Sequence, residues 1–538
     1  MKKYNLRGDA PLVALKRLAR MATDTGILGA FSVTGVPEVL KIAATRGLDV
    51  RTIHAVHAAR DPSRIAVIDG EDWLTFKEMD ERINQSANLL ISLGVIPRSR
   101  VLICMENRLE YLLTWFALFR LGCSAVHASY RSTSAELDYL IENSKATLAV
   151  VSASTAAAVG ATTHELKTVC ADASPGCVPF SEHLNHSIEA SPHVAKAEGA
   201  SVVYTSGTTG SPKGAVRNFT SFGPLELSRL LERLPLRSRS RHLVVCPLYH
   251  SAAQAFVLIH AAIGATVVLQ RHFEPSQTLE IMRRLAIEST FLVPTMIQRI
   301  VELPADLRGP RPGSLRCLLS GAAPFPQRLR EQAIEYFGAR ALFDFYGATE
   351  LGWVTLINGH EMLERPASVG RPLSGQSIRV RKDGADAKTG EVGIIWVDNA
   401  QIMAGYLNHD GEKSDLDGWM TVDDLGFVDA DGYLYLAGRD RDMVISGGVN
   451  IYPVEIEEIL LTHPLVTDVA VVGIPDKEWG ERLVAFVVGD VDMSEVQGWL
   501  GQRLSSHKVP RVWHRVTEVP RNATGKVLKR ELETRAQT

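Results

Sequence analysis

The stretch YTSGTTGSPKG, residues 204–214, brings hydroxyl-bearing side chains, three glycines and one lysine into a single polar turn. The apolar run before it, residues 201–204, predicts a buried strand that leads into a loop. Glycine lets the backbone approach a ligand closely, and hydroxyl and ammonium groups supply donors that can surround phosphate oxygens. The stretch therefore predicts a phosphate-binding loop, with the candidate residues Thr205, Ser206, Gly207, Thr208, Thr209, Gly210 and Lys213.

This loop differs from the commoner nucleotide-binding loop, in which Gly, Lys and Ser or Thr follow one another. Here Pro212 precedes Lys213, and Gly214 follows it. A flexible Ser/Thr/Gly surface linker is the alternative interpretation. The linker is disfavoured because the stretch directly follows a buried strand and ends in Pro-Lys-Gly.

The composition is that of an ordinary globular protein. Its 538 residues, of which 46% are hydrophobic and 22% charged, allow roughly three or four domains. A net charge of -3 gives no electrostatic reason to expect a nucleic acid as a partner. The six cysteines contain no Cys-x-x-Cys pair, and no apolar segment reaches the about 18 residues that a membrane-spanning helix needs. We therefore expect buried thiols and a cytoplasmic protein.

The first 31 residues form a separate basic region. Lys16, Arg17 and Arg20 come directly after the apolar run 12–15, whereas a secretory signal keeps its apolar stretch free of charge. The pattern predicts a basic amphipathic helix. Two interpretations stay open: a helix packed on the main body, which is favoured, or peripheral contact of residues 1–31 with the inner face of a membrane.

From Ile65 onward, strands alternate with helices, which predicts an α/β architecture with parallel sheets. The loop at 204–214 resembles the signature loop of the adenylate-forming (AMP-binding) superfamily, and further matches run from residue 64 to residue 532. The resemblance is strongest to fatty acyl-CoA synthetases, which are acid-thiol ligases. It implies a large N-terminal domain of parallel α/β sheets plus a small β-barrel, and a mobile α+β lid. The implied boundaries are an extension at 1–50, the large domain at 51–438, a hinge at 439–441 and the lid at 442–538.

The segment FDFYGATE, residues 343–350, carries the next cluster of chemically useful side chains. Tyr346 offers a ring to stack on adenine, Thr349 a hydroxyl for the α-phosphate, and Glu350 a carboxylate for Mg²⁺. A strand end with a surface acid is the alternative. The resemblance adds further candidates for nucleotide and metal binding, namely Gly347, Gly321, Ala322, Ala323 and, at the metal, Thr205.

Two neighbouring acids compete for the ribose. The segment WMTVDDLG, residues 419–426, resembles a family motif that usually ends in Thr-Gly-Asp-Leu-Gly. Aligned in this way, Asp424 accepts both ribose hydroxyls, with Asp423 as the alternative. The resemblance also implies that Arg439 reaches the ribose and that Arg441 is the hinge residue.

The lid and the acyl pocket supply the remaining candidates. Gly447 and Gly448 resemble the glycines that leave room for the pantetheine arm of CoA. The segment PRNATGK, residues 520–526, matches the motif whose lysine stabilises charge during adenylation, which implies a catalytic Lys526. His250 lies in a Pro-Leu-Tyr-His segment that relatives carry at the mouth of the acyl pocket. These roles rest on the resemblance alone, because an exposed lysine is usually just solvated and a lone histidine at a strand end is more often structural.

The resemblance implies a reaction in two steps that uses ATP, Mg²⁺ and CoA. A carboxylate is a poor acyl donor, so it is first converted to acyl-AMP with release of pyrophosphate, and the CoA thiol then takes the acyl group. Lys526, Lys213 and the metal on Glu350 would offset the negative charge that gathers in the first step. Rotation at the hinge would present Lys526 for adenylation and the opposite lid face for thioester formation.

The sequence favours an uncharged acid as the substrate. Residues 251–256, SAAQAF, lack the aspartate that holds the amine in amino-acid-activating relatives. Small side chains there and apolar residues at 351–354 favour a medium- or long-chain fatty acid, although Gln254 replaces the tryptophan of some long-chain enzymes. An aryl-acid CoA ligase, a ligase that loads a separate carrier protein and a non-catalytic acyl-binding protein stay open. The oligomeric state is also open, a dimer included.

Overall fold

The computed structural model describes residues 11–26, 35–189, 199–205, 212–218, 224–408, 418–446, 449–522 and 525–537. The chain divides into two compact units. The first comprises Met1–Phe291, Pro312–Leu318 and Ala400–Lys413, and the second comprises Leu292–Arg311, Leu319–Asn399 and Ser414–Thr538. The domain boundaries expected from the sequence stay predictions.

The described α-helices are numbered in chain order. They are α1 (Pro11–Asp24), α2 (Val36–Arg46), α3 (Ile53–Arg60), α4 (Phe76–Ser92), α5 (Leu109–Arg120), α6 (Ser134–Ser144), α7 (Ala153–Gly160), α8 (Pro224–Leu231), α9 (Ser251–Ile263), α10 (Pro275–Arg284), α11 (Pro294–Val301), α12 (Ala305–Arg308), α13 (Gln327–Phe337), α14 (Gly359–Glu364), α15 (Pro453–Leu460), α16 (Met493–Gly501) and α17 (Lys529–Gln537).

The described strands are numbered in the same way. They are β1 (Ile65–Asp69), β2 (Asp72–Thr75), β3 (Arg100–Cys104), β4 (Ser124–His127), β5 (Leu148–Val151), β6 (Lys167–Cys170), β7 (Val178–Pro179), β8 (Ala200–Thr205), β9 (Lys213–Arg217), β10 (Arg241–Val244), β11 (Thr266–Leu269), β12 (Ser289–Phe291), β13 (Cys317–Ser320), β14 (Leu342–Ala348), β15 (Gly352–Asn358), β16 (Ser368–Pro372), β17 (Ser377–Lys382), β18 (Ala385–Asp386), β19 (Gly393–Asp398), β20 (Gly405–Tyr406), β21 (Asp424–Val428), β22 (Leu434–Arg439), β23 (Val444–Ser446), β24 (Val449–Ile451), β25 (Val466–Asp476), β26 (Gly480–Gly489) and β27 (Val512–Arg515).

In the first unit, the sheet that carries the signature stretch has the strand order β20-β9-β8-β4-β3-β5-β6-β7. The pairs β8/β4, β4/β3, β3/β5 and β5/β6 are parallel, and β8/β9 is antiparallel. Helices lie between these parallel strands along the chain, so the strands are covered and their central residues, Leu102, Val126 and Val202, are at most 1% exposed. The predicted α/β architecture is confirmed.

A second set of strands in the first unit runs β2-β1-β11-β10-β12. The pairs β1/β11, β11/β10 and β10/β12 are parallel, and β2 joins the edge as an antiparallel hairpin strand. Thr75 ends β2 and caps α4 through a reciprocal pair of bonds with Glu78. Helix α4 therefore begins at Phe76.

In the second unit, the strands from β14 to β22 other than β20 form an antiparallel sheet. Strand β14 pairs with β15, β15 with β16, β16 with β22, β22 with β21, β21 with β19, and β19 with β17. The turn between β17 and β18 is formed by Asp383 and Gly384, with φ of 49° and 81°, as the Asp-Gly turn signal predicts. This register places Asp424 directly opposite Arg439.

The C-terminal part of the second unit is the predicted small α+β body. Its strands run β24-β23-β26-β25, and β27 pairs in parallel with β26. Buried Ile456, Leu460 and Leu500 from α15 and α16 pack with the sheet residues Val471 and Ala485. Residues 449 and 450 belong to β24, because they pair with residues 446 and 445 of β23.

The N-terminal basic segment contains helix α1, which lies on α8. Arg17 pairs with Glu232 at 3.5 Å, which agrees with the favoured interpretation of a helix packed on the body. Leu15 and Val13 remain 64% and 45% exposed. Within the described ranges, no helix is both long and apolar enough to cross a membrane.

Candidate active site

The ends of the signature loop are held in place by α6. Thr205 at the end of β8 lies opposite Lys213 at the start of β9, and its hydroxyl donates to the Lys213 carbonyl at 3.5 Å. Tyr139 donates to the carbonyl of Pro212 at 2.8 Å, and Tyr204 donates to Asn143 Oδ1 at 2.8 Å. The Lys213 ammonium lies 5.5 Å from the centre of the Tyr406 ring. Ser206, Gly207, Thr208, Thr209 and Gly210 lie outside the described residues.

A buried polar network supports the strand that leads into this loop. Trp115 Nε1 donates to Ser201 Oγ at 3.0 Å, and the same oxygen lies 3.0 Å from Nε2 of His127. The other ring nitrogen of His127 lies 2.6 Å from the Tyr111 hydroxyl. Burial lowers the pKa of His127 to about 3, so the imidazole is neutral. The network satisfies polar groups beneath β8 and fixes this strand against α5.

Tyr346, Asp424 and Arg439 meet in the second unit. The Tyr346 hydroxyl donates to Asp424 Oδ2 at 2.7 Å, and Arg439 Nε donates to Asp424 Oδ1 at 3.0 Å. Burial raises the pKa of the Asp424 carboxyl, while Arg439, Tyr346 and Lys526 act in the opposite direction. Of the two candidate acids, Asp424 is 8% exposed and lies in this cluster, whereas Asp423 is exposed. The arrangement favours Asp424 as the ribose acceptor.

Lys526 belongs electrostatically to the same cluster. Burial lowers the pKa of its ammonium to about 8, and Arg439 and Arg441 add to this shift, while Asp442 and Asp424 oppose it. Asp442 also pairs with Lys529 at 3.4 Å. The structure therefore brings the predicted adenylation lysine, ribose acid and ribose arginine together. Gly447 and Gly448, predicted for the CoA arm, lie outside the described residues.

The adenine-side candidates are closely packed against backbone and aromatic rings. A Cβ on Gly321 would lie 2.5 Å from the Phe345 ring, so only glycine leaves that ring in place. Gly347 approaches the carbonyl of Gly352 too closely for a side chain. Ala322 has a φ of 68°, and Ala323 follows it in the same bend after β13. The Phe345 ring also stacks on Trp353, with 4.9 Å between ring centres.

Thr349 and Glu350 lie in the tight turn between β14 and β15. Glu350 is 8% exposed. The described part of the chain contains no group of three or more His, Cys, Asp or Glu residues arranged to hold a metal. Mg²⁺ usually takes one or two carboxylates together with substrate phosphates, so the single carboxylate of Glu350 is a chemically suitable donor. The assignment of Thr205 to the metal stays a prediction.

His250 is the residue just before α9. Its Nε2 atom is buried and makes no hydrogen bond to another described residue. Burial lowers the pKa of His250 to about 4, which keeps the ring neutral at physiological pH. A neutral ring is compatible with the apolar acid pocket implied by the resemblance, and a role as a charged group is not favoured.

One buried ion pair close to the site was not anticipated from the sequence. Arg330 on α13 donates to Asp344 Oδ2 at 3.1 Å and to the Ser368 carbonyl at 2.8 Å. Burial raises the pKa of Asp344 to about 6, opposed by Arg330. Asp344 precedes Tyr346 by two residues on β14, so the pair fixes the strand that carries the candidate adenine-stacking ring. An acid inside the apolar run LFDFY was the available signal.

Comparisons with known proteins identify the family of this chain. The AMP-binding enzyme family matches residues 55–407, and the family described as AMP-binding enzyme C-terminal domain matches residues 455–526. A 2-succinylbenzoate–CoA ligase of Bacillus licheniformis is 34% identical over 88% of this chain and 97% of the relative.

Two solved structures of similar fold are also CoA synthetases. An o-succinylbenzoate CoA synthetase of Bacillus subtilis, in complex with its acyl-adenylate intermediate, has a TM-score of 0.79 and 29% identity over 90% of this chain and 98% of that one. A Mycobacterium tuberculosis fatty acyl CoA synthetase has a TM-score of 0.71 and 26% identity over 90% of this chain and 98% of that one. The expected resemblance and fold class are confirmed, and the chain belongs to the AMP-binding enzyme family.

Proposed function

We propose that this chain is an ATP-dependent acid–CoA ligase that forms an acyl-AMP and then an acyl-CoA, and that its acid is aromatic. The observation that carries the proposed activity is the meeting of Tyr346, Asp424, Arg439 and Lys526. An aromatic ring, a ribose acceptor and two cations are the groups that an adenylating site needs.

The chemistry of each residue fits the adenylation step. Attack of a carboxylate on the α-phosphate brings negative charges together, and the ammonium of Lys526 would offset them. Asp424 retains lone pairs for ribose hydroxyls although both of its oxygens already accept one bond. ATP and CoA are the co-substrates of this family's CoA ligases. Mg²⁺, held through Glu350, would supply further positive charge at the phosphates.

The aromatic acid replaces the fatty acid that the sequence favoured. Several similar curated relatives act on 2-succinylbenzoate, as their names state. In this chain, Phe345 and Trp353 form a stacked pair beside Gly321, and aromatic rings pack well against such pairs. We therefore propose an aryl acid with a carboxylated side chain, such as 2-succinylbenzoate.

A fatty acid is the second candidate. It is supported by the structural similarity to the Mycobacterium tuberculosis fatty acyl CoA synthetase and by the apolar residues 351–354. The carrier-loading and non-catalytic alternatives are less well supported. Five positions that a non-catalytic relative would be expected to lose are occupied by suitable side chains, namely Thr349, Glu350, Asp424, Arg439 and Lys526.

The test is pyrophosphate release with ATP and Mg²⁺ across 2-succinylbenzoate, simple benzoates and straight-chain fatty acids, each with and without CoA. We expect release with 2-succinylbenzoate and conversion to thioester and AMP when CoA is added. Release that rises with fatty chain length would overturn the aromatic proposal. Adenylate formation to which CoA makes no difference would point to a carrier protein, and no release with any acid would contradict the ligase itself.

A further inference from the structure

The segment at residues 290–295, which runs from β12 into the start of α11, has no role in the site as described so far. Thr295 is the second residue of α11 and is half-buried. Its side chain faces Gly525, the residue before Lys526. A Cβ on Gly525 would lie 2.9 Å from both Cγ2 and Oγ1 of Thr295, which is closer than real Cβ contacts allow. The backbone at Gly525 is thus in direct contact with Thr295.

Residues of the predicted lid hold the backbone of residues 525 and 526 on the side away from Thr295. Arg521 Nη1 donates to the Gly525 carbonyl at 2.7 Å, and Nη2 of the same guanidinium donates to Asp468 on β25 at 2.7 Å. Asn522 accepts hydrogen bonds at 2.9 Å from the backbone of Gly525 and of Lys526. Residues 525 and 526 therefore have little freedom to move within the lid.

Thr295 comes from outside the predicted lid, which begins at residue 442. Because hydrogen bonds hold the backbone of residues 525 and 526 on its lid side, the contact of Gly525 with Thr295 limits how far Lys526 extends toward Asp424 and Arg439. A displacement of about 1 Å in a charged group can reduce a rate roughly 100-fold when the reaction depends on position. The contact is therefore placed to control the adenylation geometry.

We propose that Thr295 is a positioning residue that seats the Gly525–Lys526 backbone during adenylation and has no part in thioester formation. This inference rests on the proposed function, because it assumes that the chain catalyses both half-reactions. It assigns a role to the start of α11 and gives a reason for glycine at 525 beyond its φ of 79°.

The test uses steric complementation between the two positions. Gly525→Ala should reduce pyrophosphate release at least about tenfold, since the new methyl group meets Thr295 and displaces Lys526. In the double variant Thr295→Ala/Gly525→Ala, the Cβ of residue 295 is the nearest remaining side-chain atom. It lies 3.5 Å from the new Cβ at residue 525, which is an ordinary contact distance. We expect the double variant to recover most of the lost rate. If the positive φ alone required glycine, the double variant would be no better than Gly525→Ala.

Thioester formation from supplied acyl-AMP and CoA is the second readout. We expect Gly525→Ala to remain within about twofold of the unmodified protein in this step, because the lid presents another face. The matched control is Gly498→Ala on α16, where a Cβ meets nothing within 4 Å and both half-reactions should be unchanged. Equal loss of both half-reactions in Gly525→Ala, or no rescue in the double variant, would overturn the proposal. If the unmodified protein forms no adenylate, it is the proposed function that fails.

Discussion

The hydroxyl of Tyr346 donates a 2.7 Å hydrogen bond to Asp424 across 78 residues of chain. The bond joins the candidate adenine-stacking ring to the candidate ribose acid, so the two parts of a nucleoside site are fixed relative to each other. Arg439 approaches the other carboxylate oxygen from the neighbouring strand. Asp424 is thus oriented from two sides before any ligand binds.

The two adjacent acids can be separated by matched substitutions. Asp424→Asn should raise the KM for ATP about tenfold or more, because a hydrogen bond to a charged group commonly contributes ~1.5–3 kcal/mol. Asp423→Asn is the control, since Asp423 is exposed and its φ of 61° is one that asparagine tolerates. Steady-state kinetics with ATP varied would test this. A larger effect from Asp423→Asn would show that the ribose acid has been misassigned.

Local patterns in the sequence were sufficient to predict several elements of the fold. The apolar run at 201–204 followed by a polar loop predicted β8, and Asp383-Gly384 predicted a hairpin turn. Both signals depend on neighbouring residues only. The start of α15 at Pro453 has a local cause of the same kind, because proline is well tolerated in a first helical turn.

The contacts between distant residues could not be predicted in this way. The Asp424–Arg439 pair depends on the register of β21 against β22, and only the family resemblance suggested a shared site. Asp344 was visible as an acid within an apolar strand, but its partner Arg330 lies on a helix whose packing no local pattern specifies. Thr295 gave no signal, since its contact with Gly525 depends on the tertiary packing.

The pH dependence of adenylation should report the charge of Lys526. Its pKa is lowered to about 8, so the ammonium is charged below that pH and loses its proton above it. We expect kcat/KM for ATP to fall as the pH rises through about 8, because this parameter reports groups of the free enzyme. In Lys526→Arg the guanidinium stays charged, so the alkaline decrease should disappear even if the rate is lower. An unchanged alkaline decrease in that variant would assign the titration to another group.

Removal of the lysine should separate the two half-reactions. Lys526→Ala should reduce pyrophosphate release about 100-fold or more, since it removes a charge that stabilises the transition state. Thioester formation from supplied acyl-AMP should be largely retained, because this step is proposed to use the opposite face of the lid. Single-turnover assays of each step would provide the comparison. Equal loss in both steps would contradict the model in which the two lid faces serve different reactions.

Buried neutral histidines should make the fold sensitive to acid. Burial lowers the pKa of a set of imidazoles, those of His54, His57, His127, His183, His242, His250 and His260. Because the unfolded chain binds protons at these groups near pH 6.5 and the folded chain does not, stability is full above that pH and is lost as the pH falls toward about 4.

The slope of the unfolding free energy against pH is the measurable quantity. Each such histidine contributes up to ~1.4 kcal/mol of unfolding free energy per pH unit within its window, so several together can exceed the stability of a typical domain. Denaturant unfolding between pH 7 and pH 5 should therefore show a steep decrease. His57→Gln should make the decrease less steep, because the substitution removes one of the titrating imidazoles. A glutamine amide can still donate to the Ala262 carbonyl that lies 3.2 Å from His57 Nε2, so the contact is kept. His360→Gln is the control, because His360 is exposed. Identical slopes for the two variants would mean that His57 is not one of the groups responsible.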